Sequence, residues 1–250
     1  MAGHSHWAGI KHKKSLIDSK RGKLWSKLSK AIIVAAKMGG GDTDSNIRLR
    51  TAIADAKAAS VPKDNIIRAI KKGTGELAGG EVEEVLYEGY GPGGVAVMCE
   101  ILTDNRNRTA PEIRKLFEVN SGKLGSSNCV AWMFERKGLF VVDASKVDEE
   151  TLMELAMESG ADDIKHENDA FHLTCEVENY SQLSESLEQA EIPITAKEIT
   201  QVPTNVVDVA REDARKVLKL LEALDDHDDV QNVSANFNIP DEVLAEISES

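Results

Sequence analysis

The sequence has few cysteines, few aromatic residues and no long apolar run, and these shortages exclude several classes of protein. Its three cysteines lie far apart without a Cys-X-X-Cys pair, and each lies in or beside an apolar stretch. They are therefore interpreted as buried free thiols in a reducing cytosol. No run of about 18 apolar residues could span a membrane, and the N-terminus lacks the apolar segment of a secretory signal. We expect a cytoplasmic protein.

Sequence motifs of catalysis and of nucleotide binding are also missing. The chain has no Gly-X-X-X-X-Gly-Lys-Ser/Thr, no Gly-X-Gly-X-X-Gly that leads from a strand into a helix, no His-Glu-X-X-His and no Gly-X-Ser-X-Gly. An acidic segment at 225–229 (Asp-Asp-His-Asp-Asp) lacks the ligand spacing of a calcium loop, so it is interpreted as a solvated loop. We expect no catalytic residues, no cofactor and no metal, and hence no enzyme.

Charge is distributed very unevenly along the chain. Residues 1–75 contain 12 Lys and 4 Arg against 5 acidic residues, a net charge of +11, whereas the whole chain carries −13. The remaining residues therefore carry −24. A cationic first third on an acidic protein indicates a polyanionic partner, and nucleic acid is the commonest, because Lys and Arg displace counterions from phosphates.

The basic residues recur on one side of predicted helices. Residues 1–15 resemble a flexible arm, and helices are predicted at 18–37, 45–59 and from Pro62 to Gly73. At about 100° per residue, the lysines of the first helix lie opposite its apolar face. Three basic helices and an arm of the same sign predict a nucleic-acid-binding module, with these candidate contacts: Lys11, His12, Lys13, Lys14, Lys20, Arg21, Lys23, Lys27, Lys30, Arg48, Arg50, Arg68, Lys71 and Lys72.

Three further residues have two interpretations each. Trp7 in the arm either stacks on an unpaired base or docks the arm onto the helices. Arg106 and Arg108 precede a predicted helix whose capping box starts at Thr109, where they either contact a phosphate or pair with nearby acids.

The acidic part predicts a mixed α/β structure. A hairpin is expected from strands at 85–90 and 95–102, followed by a helix and a strand at 129–134. Residues 135–203 have the order β-α-β-β-α-β, and residues 205–237 supply the helix and strand that the first unit lacks. The predicted class is α+β, with a basic three-helix domain (1–75) followed by two ferredoxin-like α/β domains. The last (135–203) is inserted into a middle domain formed by residues 81–134 and 204–240.

Several long motifs resemble the YebC-type proteins, namely residues 3–7, 10–14, 20–23, 39–42, 48–50, 62–66, 69–75, 87–92 and 103–109. The resemblance covers nearly the whole chain and implies three domains with the last inserted. Members of this family are mostly described as DNA-binding transcriptional regulators of the bacterial cytoplasm. Their mitochondrial relatives are translational activators of cytochrome oxidase, and some bacterial members resemble ribosome-associated factors that relieve stalling.

Two functions therefore remain open at this stage. The resemblance favours a DNA-binding regulator, although no helix-turn-helix with base-reading residues is evident. The flexible arm with Trp7 and His12 also suits irregular RNA, which favours a translation factor bound to ribosomal RNA. An enzyme ranks last, because no acid–base pair or nucleophile can be assembled from the sequence.

Overall fold

A computed structural model describes residues 21–79, 81–167, 169–240 and 243. Three helices open this part of the chain: α1 (Arg21–Gly39), α2 (Ile47–Ala58) and α3 (Lys63–Gly73). Their apolar faces form one small core, which includes Ile32, Leu49 and Ile66. The Asn46 side chain joins α1 to α2, because it accepts from Leu49 N and donates to the carbonyls of Ala35 and Gly40. The three predicted helices are thus present within a few residues of their expected bounds.

The first sheet has four strands. Strands β1 (Glu83–Tyr90) and β2 (Ala96–Thr103) form the predicted antiparallel hairpin around a 3₁₀ turn at Pro92–Gly94. The edge strands are β3 (Lys123–Leu124) and β9 (Val230–Ala235). Helices α4 (Arg106–Val119) and α7 (Arg211–Asp225) cover one face. Strand β9 pairs antiparallel with β2, so the sheet is completed by residues that follow the second sheet in sequence.

The second sheet is antiparallel throughout. Its strands lie in the order β5 (Ala161–Glu167), β6 (Ala170–Glu176), β4 (Phe134–Asp143) and β7 (Ile194–Pro203). Its core is formed largely by Phe140, Leu152, Leu173 and Leu183. The chain order of this unit is the β-α-β-β-α-β of a ferredoxin-like fold. Its elements are β4 (Phe134–Asp143), α5 (Glu149–Glu158), β5 (Ala161–Glu167), β6 (Ala170–Glu176), α6 (Tyr180–Gln189) and β7 (Ile194–Pro203). A separate two-stranded parallel pair consists of β8 (Val207–Asp208) and β10 (Phe237–Asn238).

The predicted α+β class is confirmed, but two local predictions are wrong. Residues 129–133 are not a strand, because a 3₁₀ turn at Ala131–Met133 precedes β4. Helix α4 begins at Arg106, with Asn105 as N-cap accepting from Arg108 N, so Thr109 is not its cap. Thr109 is instead buried inside the helix, where its hydroxyl donates to the carboxylate of Asp229.

The three units are packed against one another. On the face of the first sheet opposite α4 and α7, Val34 of α1 packs with Val82 and Leu102. Strand β7 contacts β9 through polar groups, as Asn232 donates to the hydroxyl of Thr200 at 2.7 Å. The contact of Val34 holds the basic helices beside the first sheet, and the contact of Asn232 holds the second sheet beside the first. In the part of the chain that the structure describes, no helix is long and apolar enough to cross a membrane.

Candidate nucleic-acid interface

The exposed cations of α2 and α3 form an accessible basic surface. Arg50, Arg68, Lys71 and Lys72 are exposed, and none of them forms an ion pair with another described residue. On α3 the buried positions Ile66 and Ala69 face the helical core, so the basic side chains project to the opposite side. We call these four residues the basic face. Lys37 of α1, Lys57 of α2 and Lys63 of α3 are also exposed, and the sequence-based candidates omitted them.

Arg48 differs from its neighbour on α2. It is half-buried, and its guanidinium donates to both carboxylate oxygens of Glu84 on β1, at 3.0 and 3.1 Å. A paired arginine of this kind fixes the orientation of two elements. Arg48 therefore links α2 to the first sheet, and its predicted role in nucleic-acid binding stays a prediction.

The lysines of α1 point at the acidic segment 225–229. Lys23 Nζ donates to the carbonyl of Asp226 at 3.1 Å and lies 3.6 Å from the Asp228 carboxylate. Lys27 Nζ donates to the carbonyl of Asp225. Lys30 Nζ donates to the carbonyl of Asp228 at 3.1 Å and to Asp229 Oδ1 at 2.5 Å. Three of the predicted phosphate contacts are thus occupied within the protein.

Asp229 is the centre of this contact and is buried, so the interpretation of 225–229 as a solvated loop is wrong for Asp229, whereas Asp226 and Asp228 are exposed as that interpretation expects. The Asp229 side chain is 2% exposed and also accepts from Thr103 at 3.1 Å, Thr109 at 2.6 Å and Arg108 at 2.8 Å. Burial alone would raise the pKa of Asp229. The hydrogen bonds from Lys30, Thr109 and Arg108 outweigh burial and hold that pKa well below its usual range. Asp229 thus stays ionised and fastens α1, α4 and the end of β2 together.

The two arginines at the start of α4 have different surroundings. Arg108 pairs with Asp229 and with Asp104, at 2.8 and 3.2 Å, so the acid-pairing interpretation describes it. Arg106 is exposed and forms no ion pair with another described residue. Between α1, α4 and the acidic segment lies an open groove of about 730 Å³, whose lining mixes both charges and includes Lys23, Lys30, Arg108, Lys115 and Asp228.

Some candidates cannot be placed in this geometry. Trp7, Lys11, His12, Lys13, Lys14 and Lys20 lie outside the described residues, and Arg21 is the first residue of α1. Within the described ranges, no group of three or more His, Cys, Asp or Glu side chains could hold a metal ion.

The cysteines are all free thiols, and two of the three are buried as predicted. Cys99 and Cys175 are inaccessible, whereas Cys129 is only half-buried. Burial raises the pKa of Cys99, and it raises the pKa of Cys175 to about 11. Neither buried thiol is therefore ready to act as a nucleophile at neutral pH.

Comparisons with known proteins find relatives that match nearly the whole chain. Residues 5–76 match the TACO1/YebC protein N-terminal domain, and residues 82–237 match the TACO1/YebC second and third domain. A "Probable transcriptional regulatory protein" of Rhodopirellula baltica is 59% identical over 247 residues, covering 98% of this chain and 100% of the relative. One of the same name from Natranaerobius thermophilus is 56% identical, covering 98% and 99%. A crystal structure of a conserved hypothetical protein from Aquifex aeolicus aligns with a TM-score of 0.85 at 51% identity, covering 94% and 97%.

Proposed function

The chain belongs to the TACO1/YebC family, and from that premise we propose that it is a non-enzymatic, DNA-binding regulator of gene expression. The basic face carries this proposal. Four exposed cations on two adjacent helices can each neutralise a phosphate, because no described acid competes for them. The names of the curated relatives, probable transcriptional regulatory proteins, support duplex DNA as the target.

The α1 lysines have a different part in this proposal. Lys23, Lys27 and Lys30 already contact the acidic segment, so they contribute to DNA binding only if that contact opens. While that contact is closed, the basic face is available to the phosphate backbone and these three lysines are not, and the net-acidic remainder of the protein repels the backbone. This arrangement would orient the protein on a polyanion and limit non-specific coating.

A ribosome-associated translation factor is the second candidate. The observation that favours it is the chemistry of the basic face, which consists of Lys and Arg only. Such contacts to phosphates position a protein without reading base sequence, and they fit ribosomal RNA as well as DNA. The translation-factor candidate predicts binding to structured RNA and co-sedimentation with ribosomal particles.

The test is a salt-dependent titration of the full chain with duplex DNA and with a ribosomal RNA hairpin. The variant removes the basic face by alanine substitution of Arg50, Arg68, Lys71 and Lys72. Each lost phosphate contact lowers the slope of log K against log salt by about 0.9 on duplex DNA, so the slope should fall by about 3 to 4. The matched control removes four exposed cations from α4 and α7, namely Arg114, Lys115, Arg215 and Lys219.

The outcomes separate the candidates. Weakened DNA binding in the basic-face variant and unchanged binding in the control support the proposal. Equal losses of DNA affinity in both variants would mean that only the net charge of the protein matters, and they would refute the basic face as the interface. If the full chain binds only the RNA and travels with ribosomal particles on a sucrose gradient, the translation-factor candidate replaces the DNA-binding one.

A further inference from the structure

An exposed aromatic pair is formed by one residue at the end of β1 and one in the turn before β4. Trp132, in the 3₁₀ turn before β4, is 71% exposed, and Tyr90, the last residue of β1, is 38% exposed. Their polar atoms converge on one acceptor, since Trp132 Nε1 and Tyr90 Oη both donate to the carbonyl of Cys129, at 3.3 and 3.2 Å. Both side chains are therefore anchored to the same backbone carbonyl.

The loop that carries Trp132 is held by a buried carboxylate. Glu88 is 3% exposed and accepts three backbone hydrogen bonds: from Asn128 N at 2.7 Å, Val130 N at 2.9 Å and Ala131 N at 2.8 Å. Asn128 has a φ of 65°, in the left-handed region that asparagine tolerates better than most residues. Buried ionic hydrogen bonds of this kind are among the stronger ones in proteins. Trp132 is thus presented to solvent by a preorganised loop.

A cation accompanies the aromatic pair. Lys123 of β3 lies directly opposite Tyr90 in the antiparallel register, so both side chains project from the same face of the sheet. Lys123 is exposed and forms no ion pair with another described residue. It is also the one charged residue in the sequence from 121 to 134. We call Tyr90, Lys123 and Trp132 the aromatic platform.

We propose that the aromatic platform binds an unpaired nucleobase, with Trp132 and Tyr90 stacking on the base and Lys123 contacting its phosphate. Flat aromatic side chains beside a cation are the combination that single-stranded nucleic acid requires. The exposed neighbours Ser126, Ser127 and Asn128 offer hydroxyl and amide groups to a base edge. The inference rests on the proposed nucleic-acid-binding function and adds a second contact to it.

The experiment compares two probes: a blunt DNA duplex and the same duplex with a short single-stranded thymidine tail. The full chain should bind the tailed probe about ten-fold more tightly, which is the scale of one stacked base. Trp132→Ala should abolish this preference and leave the affinity for the blunt duplex unchanged, whereas Trp132→Tyr should keep most of it. Met157→Ala, which truncates an exposed apolar side chain on α5, is the matched control.

A photocrosslinking measurement reports contact without relying on affinity. With 5-bromodeoxyuridine in the tail, irradiation should attach the probe to the peptide that contains Trp132. Crosslinks found only on other peptides would overturn the proposal. Unchanged binding of the tailed probe by Trp132→Ala would also overturn it, as would an equal loss in Met157→Ala.

The basic-face variant keeps this inference distinct from the proposed function. If that variant loses the blunt duplex while Trp132→Ala leaves tailed-probe binding intact, the proposed function stands and the aromatic platform is refuted. If the wild-type chain binds the tailed probe alone and needs Trp132 for it, the aromatic platform stands and the basic face is refuted.

Discussion

Replacing Asp229 with asparagine should destabilise the protein by about 3 kcal/mol. The carboxylate is 2% exposed and accepts from two cations and two hydroxyls, and breaking a buried charge network at one partner costs about 3–5 kcal/mol. The lower end of this energy range applies because the Arg108 side chain, at 46% exposure, can be hydrated when its partner is lost. At about 2–4 °C per kcal/mol for a chain of this size, the melting temperature should fall by about 6–12 °C.

Asp104→Asn is the matched control, because Asp104 pairs with the same arginine. Its side chain is 53% exposed, and exposed ion pairs contribute about 0–1 kcal/mol. Both variants would be followed by circular dichroism during thermal unfolding. If Asp229→Asn lowers the melting temperature no more than Asp104→Asn does, the argument that Asp229 fastens the three elements together is refuted.

The pH dependence gives a second check on Asp229. Its folded pKa is held below the value of about 3.9 for an unfolded chain, so its contribution is fully present above that pH. The contribution is lost as pH falls through the folded pKa. The stability difference between wild type and Asp229→Asn should therefore persist at about pH 5 and narrow below about pH 4. A difference that vanishes near neutral pH would contradict the low pKa.

Three further predictions concern other parts of the molecule. Neutralising the acidic segment (Asp225, Asp226 and Asp228 to Asn) should tighten duplex binding and increase the slope of log K against log salt by about 0.9 for each lysine released. A matched triple Glu→Gln change on α5, at Glu149, Glu150 and Glu154, should leave that slope unchanged. Glu88→Gln should cost about 1–3 kcal/mol in chemical denaturation and increase hydrogen exchange at the loop amides, because one of its oxygens becomes a donor facing backbone N–H groups. Iodoacetamide at pH 8 should modify Cys129 first, with Cys99 and Cys175 modified only on unfolding, as mass spectrometry would detect.

Periodic elements were predictable because their local signals and their tertiary contacts agree. The basic helices have apolar positions at helical spacing, and Ile32, Leu49 and Ile66 are indeed in their core. The ferredoxin-like order of residues 135–203 followed from alternating helical and strand patterns bounded by turn residues. In these segments each local preference and the final fold favour the same structure.

The errors arise where a distant residue decides the local structure. Thr109 and Glu112 satisfy the capping-box pattern, yet the Thr109 hydroxyl is bound to Asp229, and Asn105 caps the helix instead. Residues 129–133 are apolar enough for a strand, but Glu88 accepts their backbone N–H groups and bends the chain into a 3₁₀ turn. Neither partner is near in sequence, so no local pattern could reveal it.

The candidate site was predictable in its charge but not in which charges are free. The α1 lysines and the basic face look alike in sequence, since in both the cations recur on the polar side of an amphipathic helix. Only the fold brings Lys30 within 2.5 Å of Asp229 and leaves Lys71 exposed. The available signal was complementarity, because the run of acids at 225–229 is opposite in charge to the lysine stripe around residue 27.

The late position of β9 in the chain has a consequence for biosynthesis. Strand β2 is complete at Thr103, but its neighbour β9 begins only at Val230. At typical rates of protein synthesis, the edge of β2 therefore waits on the order of ten seconds for its partner. During that interval the α1 lysines also lack the acidic segment that will cover them. A nascent chain is thus at its most cationic and its most aggregation-prone while it is still attached to the ribosome, whose own RNA can neutralise it.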